Sequence, residues 1–260
     1  VVSGNTIVAV QGGKVAPLAA DHLDSPRGIA VGSDGTIYVA NAGALQNVSV
    51  FGPDGKYLRS VGRTGGRPRL GRYDRAGMLE PGGIALAKDG RLWVAETLDA
   101  PKRHSVWDVA SGACADEFFG GSAYFGWIWM DPEHPDEVYC HNVLWKVDLD
   151  KGTWTPHSTI WRPTKPNMIG QPNANGYAGH FRVLTAKNGK QYGWGMIDYS
   201  PMLFLRDGDI FKPVAGSIRV AFGPFGSGLL YPAMKDLYEK TKAGAFLWQD
   251  RNHDQTVQED

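Results

Sequence analysis

Two stretches of this sequence share one pattern: PRGIAVGSDGTIYVAN, from Pro26 to Asn41, and PGGIALAKDGRLWVAE, from Pro81 to Glu96. In each stretch, a short run rich in β-branched and apolar residues leads through an Asp-Gly turn into a second such run, which is typical of a β-hairpin. Residues 47–62 add a third strand, a Pro-Asp-Gly turn and a fourth strand. The repeated unit is therefore predicted to be a four-stranded antiparallel meander.

Further copies of the meander follow along the chain. The second copy extends to residue 120, and weaker copies cover residues 125–160 and 180–216. Four-stranded units that recur about every 40–50 residues predict an all-β fold, the β-propeller, whose first strands line a central channel. Residues 1–260 are thus expected to form a single propeller domain of five to six blades.

The chain ends carry pieces of blades. Residues 5–19 resemble a third and a fourth strand, while residues 218–223 and 244–250 resemble a first and a second strand, separated by a predicted helix at 231–242. Strands from both termini would then complete one blade and close the ring, because an open ring leaves pairing edges exposed. The alternative is that the chain is a segment of a longer propeller.

The composition narrows the classes of partner. The 27 basic and 27 acidic side chains give a net charge of zero, which argues against nucleic acid as a partner. No apolar run reaches the roughly 20 residues of a membrane span, and no signal peptide is recognised in this chain. The spacing of Cys114 and Cys140 fits no metal site and leaves a disulfide between them open.

The two clear copies resemble the NHL repeat of β-propeller proteins, through P-x-G-I-A-V-x-x-D-G-x-I-Y-V-A-N followed by S-V-F-x-P-D-G-K-Y-L-R-S-V-G. The stretches YDRAGMLEPGGIAL, APKRHSVWDVASG and WQDRNHDQTVQED are also similar to large, uncharacterised exported bacterial proteins. The resemblance implies an extracytoplasmic or secreted location, with other domains of a longer chain as neighbours. NHL propellers include protein-binding and RNA-binding platforms and a peptide-amidating lyase, so the fold does not select a function.

A polar residue recurs where the second strand of each copy leaves its sheet. Superposing the copies places Asn41, Glu96, Asn142 and Asp250 at this position, with Asp198 as the equivalent in the fourth copy. These strand ends share one face of a propeller near the channel mouth, so the pattern predicts a ring of hydrogen-bond acceptors for a ligand or an ion. The alternative is structural, because Asn and Asp commonly begin turns at strand ends.

Glu96 leads into a loop that adds Arg103 and His104, and Arg27 is expected at the same mouth from the neighbouring blade. A carboxylate beside Arg and His suits the binding of an anionic or sugar ligand, or the positioning of a proton donor. A solvated loop with a local ion pair is the alternative. Gly28 and Gly83 begin the first strands, so Gly83→Val is expected to overpack the channel.

These patterns favour a binding or scaffolding module, with a protein or carbohydrate ligand at the channel mouth, over an enzyme. The alternative is a metal-assisted propeller lyase or hydrolase that uses Glu96, His104, His141 or His180. Convergence of at least three such side chains at one mouth would indicate the enzyme.

One string has the pattern of a metal-binding loop. Asp250, Asn252 and Asp254 alternate as in oxygen-rich loops that bind calcium, which predicts a calcium site. Gln255 stands where such loops carry Gly, and a polar turn between strands is the alternative. The basic segment from Arg63 to Arg75 is interpreted as a loop held by arginine contacts, or else as a polyanion site.

Overall fold

The structure, a computed structural model, describes residues 1–97, 101–120, 127–165, 168–169, 179–197, 200–219 and 231–258. The chain divides into two compact units. The first unit contains Val1–Pro68 and Asp74–Ala123, and the second contains Arg69–Tyr73 and Tyr124–Asp260.

Within the described residues, nearly all regular structure is β. One short helix, α1 (Lys235–Thr241), follows a 3-10 turn at Pro232–Met234, as predicted for this insertion. The strands, in chain order, are β1 (Val2–Ser3), β2 (Thr6–Gln11), β3 (Lys14–Ala19), β4 (Pro26–Val31), β5 (Ile37–Asn41), β6 (Asn47–Phe51), β7 (Tyr57–Val61), β8 (Gly71–Arg72), β9 (Pro81–Leu86), β10 (Arg91–Glu96), β11 (Lys102–Asp108), β12 (Cys114–Gly120), β13 (Ile128–Met130), β14 (Glu137–Cys140), β15 (Val143–Asp148), β16 (Thr153–Thr159), β17 (Gly179–Thr185), β18 (Gln191–Ile197), β19 (Ser200–Asp207), β20 (Ile210–Arg219) and β21 (Ala245–Gln249).

The first unit contains three antiparallel sheets whose strands follow chain order. They are β1-β2-β3, β4-β5-β6-β7 and β9-β10-β11-β12. The two four-stranded sheets coincide with the two clear copies of the repeat and confirm the predicted meander. Val48, Val50 and Tyr38 of one sheet form a core with Val94 and Trp107 of the other.

The second unit contains the two weaker copies, each enlarged by one strand. The third copy forms β13-β14-β15-β16, and β8 pairs with β16 at its outer edge. The fourth forms β17-β18-β19-β20, to which β21 adds. A core that includes Tyr139, Trp161, Phe181 and Phe204 fills the space between these two sheets.

The prediction that residues 218–223 begin a new strand is wrong for Ile218 and Arg219, which continue β20. Strand β20 is ten residues long, and its last part pairs with β21 in the register Ala215↔Gln249 to Arg219↔Ala245. The C-terminal strand is therefore recruited by the fourth sheet. A blade shared by both termini, ring closure and a single domain over residues 1–260 stay predictions.

The hairpin turns predicted from Gly are confirmed. Each has glycine with positive φ: Gly35, Gly55, Gly90 and Gly112 in the first unit, and Gly152, Gly189 and Gly208 in the second. Successive four-stranded antiparallel meanders are the blades of a β-propeller, and this is the fold class of the chain. Cys114 and Cys140 are free thiols.

Crowding at the first strands differs from the prediction. Gly28 on β4 and Gly83 on β9 are equivalent positions, but a Cβ added at Gly83 would meet no atom of the described residues within 4 Å. At Gly28 it would lie 2.3 Å from the backbone oxygen of Gly82 and 3.2 Å from the nitrogen of Ile84. The expected overpacking by Gly83→Val is therefore wrong, since the close approach of β4 and β9 falls on Gly28.

We expect Gly28→Ala to lower the free energy of unfolding by about 1–3 kcal/mol, because the new methyl group overlaps backbone atoms that cannot rotate away. Gly83→Ala is the matched control, with open space at the equivalent position. Urea denaturation of both variants measures the difference. Equal stability of the two variants would show that β4 and β9 do not approach each other as described.

Candidate functional site

The pairing register counts Asn41, Glu96 and Asn142 to the same position, although Asn41 and Glu96 end β5 and β10 whereas Asn142 lies in the turn after β14. In each of the first three copies, the last residue of the first strand has a pairing partner on the second strand. That partner lies four positions before the polar residue in all three copies. The pairs are Val31↔Ile37, Leu86↔Leu92 and Met130↔Val138. All three polar side chains are nonetheless buried. Asp198, the predicted fourth member, lies outside the described residues.

In the sheet β4–β7, Asn41 is the centre of a neutral hydrogen-bond cluster. Its Oδ1 accepts from the backbone nitrogen of Asp24 at 2.9 Å, and its Nδ2 donates to Ser49 Oγ at 3.0 Å and to Asn47 Oδ1 at 3.4 Å. Asn47 in turn donates to Ser60 Oγ at 3.2 Å. The cluster, which we call the neutral quartet (Asn41, Asn47, Ser49 and Ser60), ties the second strand to the chain that enters the first.

In the sheet β9–β12, the same positions carry charge. Glu96 Oε2 accepts from the backbone nitrogen of Leu79 at 2.9 Å, and Glu96 Oε1 accepts from Ser105 Oγ at 3.2 Å and from Arg103. Arg103 also donates to Glu117 Oε2 at 2.9 Å. We call Glu96, Arg103, Ser105 and Glu117 the charged quartet. Its members correspond one to one with the neutral quartet, which explains why these residue types recur at one strand end.

The charged quartet is closed to solvent. A second arginine, Arg67, donates Nε to Glu96 Oε2 at 3.2 Å and Nη2 to the carbonyl oxygen of Pro101 at 2.9 Å. The side chains of Glu96 and Arg103 are 0% exposed and that of Arg67 is 1% exposed. Two guanidinium groups therefore enclose one carboxylate, and a ligand reaches Glu96 only if one of them moves.

The accessible polar groups of this strand end belong to three other residues. Arg27 Nη2 is 2.8 Å from Glu80 Oε2, and Arg27 Nη1 donates to Thr97 Oγ1 at 3.2 Å. The Arg27 side chain is 45% exposed and that of Glu80 is 15% exposed. Arg27, Glu80 and Thr97, which we call the rim cluster, join β4 to the ends of the next sheet. Of its members, the sequence indicated only Arg27.

Glu80 has a left-handed backbone, with φ 51°, although it precedes Pro81. Its carbonyl oxygen accepts from the backbone nitrogen and the hydroxyl of Thr97, both at 3.1 Å, and its nitrogen donates to Gln46 Oε1. Ser25 repeats this conformation before Pro26, with φ 49°. Residues other than glycine rarely adopt a positive φ, so the surrounding bonds must hold this conformation. The recurring position before proline is the sequence signal that would have found Glu80.

The other predicted residues lie apart from the rim cluster. His104 is exposed, and because Arg103 and Ser105 are buried, it points to the opposite face of its sheet. Asn142 lies in the second unit with φ 63°, where its carbonyl oxygen accepts from Ile160 at 2.7 Å. Within the described residues, no three His, Cys, Asp or Glu side chains gather in a group that could hold a metal ion.

The basic segment is held by ion pairs, as its structural interpretation predicted. In the first unit, Arg63 pairs with Asp74 at 2.9 Å and Arg75 with Glu117 at 3.4 Å. These bonds, with those of Arg67, attach the connection between the two sheets to the charged quartet.

The C-terminal string folds into a compact turn. Asp254 Oδ1 accepts from the nitrogen of Thr256 at 2.8 Å and from its hydroxyl at 2.6 Å, and these bonds lower the pKa of Asp254. Asn252 donates to Asp254 Oδ2 at 3.1 Å, and Asp250 accepts from the nitrogen of Gln255 at 3.1 Å. Gln255 has φ 60°, the conformation that calcium loops usually give to Gly. The polar turn is thus formed by the protein alone, and calcium binding stays a prediction.

If the loop binds calcium, millimolar calcium should raise the melting temperature, with a gain of about 1.4 kcal/mol at a concentration tenfold above the dissociation constant. Magnesium should have a weaker effect, because it demands a stricter octahedral shell. Asp254→Ala should remove the response to calcium and leave the fold intact. A melting temperature that calcium does not change would assign the string to a turn only.

No protein-family model and no curated protein matches the chain. Among solved structures, it is similar to Kuenenia stuttgartiensis hydrazine synthase, with 15% identity over 82% of this chain and 60% of that chain and a TM-score of 0.35. Virginiamycin B lyase from Staphylococcus aureus has 14% identity over 77% of this chain and 60% of that chain, with a TM-score of 0.26. A gluconolactonase from Xanthomonas campestris has 16% identity over 81% of this chain and 68% of that chain, with a TM-score of 0.31. The chain thus spans 60% of the length of the first two.

All three TM-scores are below 0.5. At this degree of similarity nothing about activity passes from them to this chain, and the NHL resemblance stays a prediction. In the described part of the chain, the structure has no helix of the length and apolar character needed to cross a membrane.

Proposed function

We propose that the chain is a ligand-binding propeller module, whose rim cluster recognises a hydroxyl-rich ligand such as a carbohydrate. The observation that carries this proposal is the division of charged groups in the first unit. Glu96 is enclosed by Arg67 and Arg103, whereas Arg27 and Glu80 reach solvent at the same strand end.

The rim cluster has the donors and acceptors that a sugar requires. A hydroxyl group both donates and accepts, and a guanidinium beside a carboxylate offers both partners. Arg27 has five N–H donors, of which Glu80 and Thr97 use only some. The pair formed by Arg27, whose side chain is 45% exposed, with Glu80 adds little stability of its own.

The enzyme alternative has less support. General acid–base catalysis needs groups within hydrogen-bond reach of one substrate. Glu96 is buried in the charged quartet, while His104 lies on the other face of the sheet. The arrangement of these two residues therefore favours binding over proton transfer.

The setting of the module is a further part of the proposal. The resemblance to exported bacterial proteins supports a location outside the cytoplasm and a place beside other domains of a longer chain. A scaffolding role, with a protein as ligand, would use the same accessible strand end.

Binding to immobilised neutral polysaccharides, measured as retardation in affinity electrophoresis, tests the proposal. We expect Arg27→Ala to weaken binding at least tenfold, because it removes a charged donor worth about 1.5–3 kcal/mol. Arg91→Ala is the matched control, since Arg91 forms a comparable exposed pair with Asp89 in a hairpin turn. Equal retardation of the two variants, or none with the wild-type chain, would refute the rim cluster as the site.

A further inference from the structure

The first strands of the two sheets in the second unit lie side by side and expose aromatic rings. Trp127, immediately before β13, stacks on His180 of β17 with ring centroids 3.5 Å apart and planes 27° apart. Trp127 is 56% exposed, and His180 is exposed as well. An indole left this open in a stacked pair is a ready surface for another ring.

A cation lies beside this pair. The guanidinium of Arg182, also on β17, sits over the ring of Trp129 at 5.3 Å from its centroid. Arg182 is exposed, and within the described residues it forms no ion pair and no hydrogen bond. The buried Nε1 of Trp129 likewise has no hydrogen-bond partner in the described part of the chain.

The stacked rings and the neighbouring cation distinguish this surface from the rim cluster. In the rim cluster, acid and base neutralise each other, whereas here the charged group is a cation whose five donors are bonded to none of the residues that the structure describes. Arginine donors match a carboxylate, which accepts two parallel hydrogen bonds. The stacked rings supply the apolar contact that the face of a pyranose or an aromatic ring requires.

We propose that Trp127, His180 and Arg182 form a second binding site, which takes a ring that carries a carboxylate. The ring stacks on Trp127 and the carboxylate pairs with Arg182. In a propeller these first strands line the central channel, so the site lies where ligands of this fold can enter. The proposal does not depend on the rim cluster, which belongs to the first unit.

Two sources share this chemistry: a uronate unit of an acidic polysaccharide and a free aromatic acid. Isothermal titration calorimetry with trigalacturonate, neutral galactotriose and benzoate distinguishes them. We expect one carboxylated probe to bind at least tenfold more tightly than galactotriose, because the bond to a charged partner is lost in the neutral sugar.

Two variants test the residues. Trp127→Ala should weaken binding of the carboxylated probe about tenfold, and Arg182→Gln should abolish the preference over galactotriose. Trp154→Ala is the matched control, because Trp154 is 63% exposed on β16, the fourth strand of the same sheet. Arg91→Gln controls for the loss of an exposed arginine elsewhere.

The outcomes are distinct. Loss of binding in Trp127→Ala with normal binding in Trp154→Ala supports the site, and the probe that binds identifies the source. Equal affinity for neutral and carboxylated probes, unchanged affinity in Arg182→Gln, or no binding of either carboxylated probe at millimolar concentration overturns it. Failure of Arg27→Ala to affect polysaccharide binding would refute only the rim cluster.

Discussion

Glu96→Ala should lower the free energy of unfolding by about 3–5 kcal/mol, because it leaves two buried cations without their shared carboxylate. Arg67 and Arg103 are 1% and 0% exposed in their side chains, so water cannot replace the lost partner. The backbone nitrogen of Leu79 loses its acceptor as well. Urea denaturation, followed by circular dichroism, measures the change.

The matched control is Asp89→Ala, which removes a carboxylate from an exposed pair and a turn hydrogen bond to the nitrogen of Arg91 in the same sheet, and should cost no more than about 1 kcal/mol. A stronger test replaces the whole cluster. Glu96→Asn, Arg103→Asn and Glu117→Ser convert the charged quartet into the neutral one, and Arg67→Met removes the remaining cation. Because no buried charge is left unpaired, and Arg75, which loses Glu117, is 51% exposed, this combined variant should be more stable than Glu96→Ala. A Glu96→Ala protein as stable as the wild type would show that the charged quartet does not hold the sheet.

The second large effect is expected at Glu137 in the second unit. Its Oε2 accepts from Tyr139 at 2.6 Å and from Arg206 at 3.1 Å, and its Oε1 accepts from Lys146 at 3.0 Å. The side chain is 6% exposed. Glu137→Ala should therefore lower the free energy of unfolding by about 3–5 kcal/mol, because Arg206 stays largely buried but loses the carboxylate that balances its charge.

Glu137 also predicts how stability depends on pH. Burial by itself would raise the pKa of Glu137, but the hydrogen bonds from Tyr139, Arg206 and Lys146 outweigh it and lower the pKa from 4.5 to about 2. A carboxyl group with a lowered pKa contributes its stability above pH 4.5 and loses it as the pH falls toward 2. The urea midpoint of the wild type should thus decline through this window more steeply than that of Glu137→Gln.

Asp136→Asn is the control for both measurements, because Asp136 is 55% exposed and pairs only at the surface with Lys146. Its stability should stay close to that of the wild type. If Glu137→Gln and the wild type lose stability in parallel below pH 4.5, the acid sensitivity comes from other carboxyl groups.

The fold was largely predictable because its signals are local. Seven hairpin turns have a Gly with positive φ, and the strands they join have β-branched and apolar residues at close spacing. Residues 244–250 were predicted as a strand, but the pairing of β21 with β20 and the short strand β8 were not predictable, because both segments pair with strands defined elsewhere in the chain. The crowding at Gly28 rather than Gly83 depends on the approach of two sheets, which equivalent sequence positions do not reveal.

The candidate site was predictable only in part. The sequence identified the strand-end position of Asn41 and Glu96 but not the partners that bury it. Ser60 and Glu117 lie on the fourth strands, and their equivalence appears only once the register is known. The sequence analysis did not predict Glu80 and Thr97 as site residues, because neither belongs to the strand pattern. Their positions are set by bonds between the two residues and by a bond from Glu80 to Gln46.

The two quartets also bear on how the chain folds. The bond from Asp24 to Asn41 and the bond from Leu79 to Glu96 each join residues 17 positions apart. Closing so short a loop costs little chain entropy, and proteins with such local contacts fold quickly. Each of these two sheets can therefore form the hydrogen bond between its second strand and the segment that precedes its first strand before the neighbouring sheet has folded. Amide hydrogen exchange at Asp24 and Leu79, which lie outside the strands, would report the opening of each sheet as a separate cooperative unit.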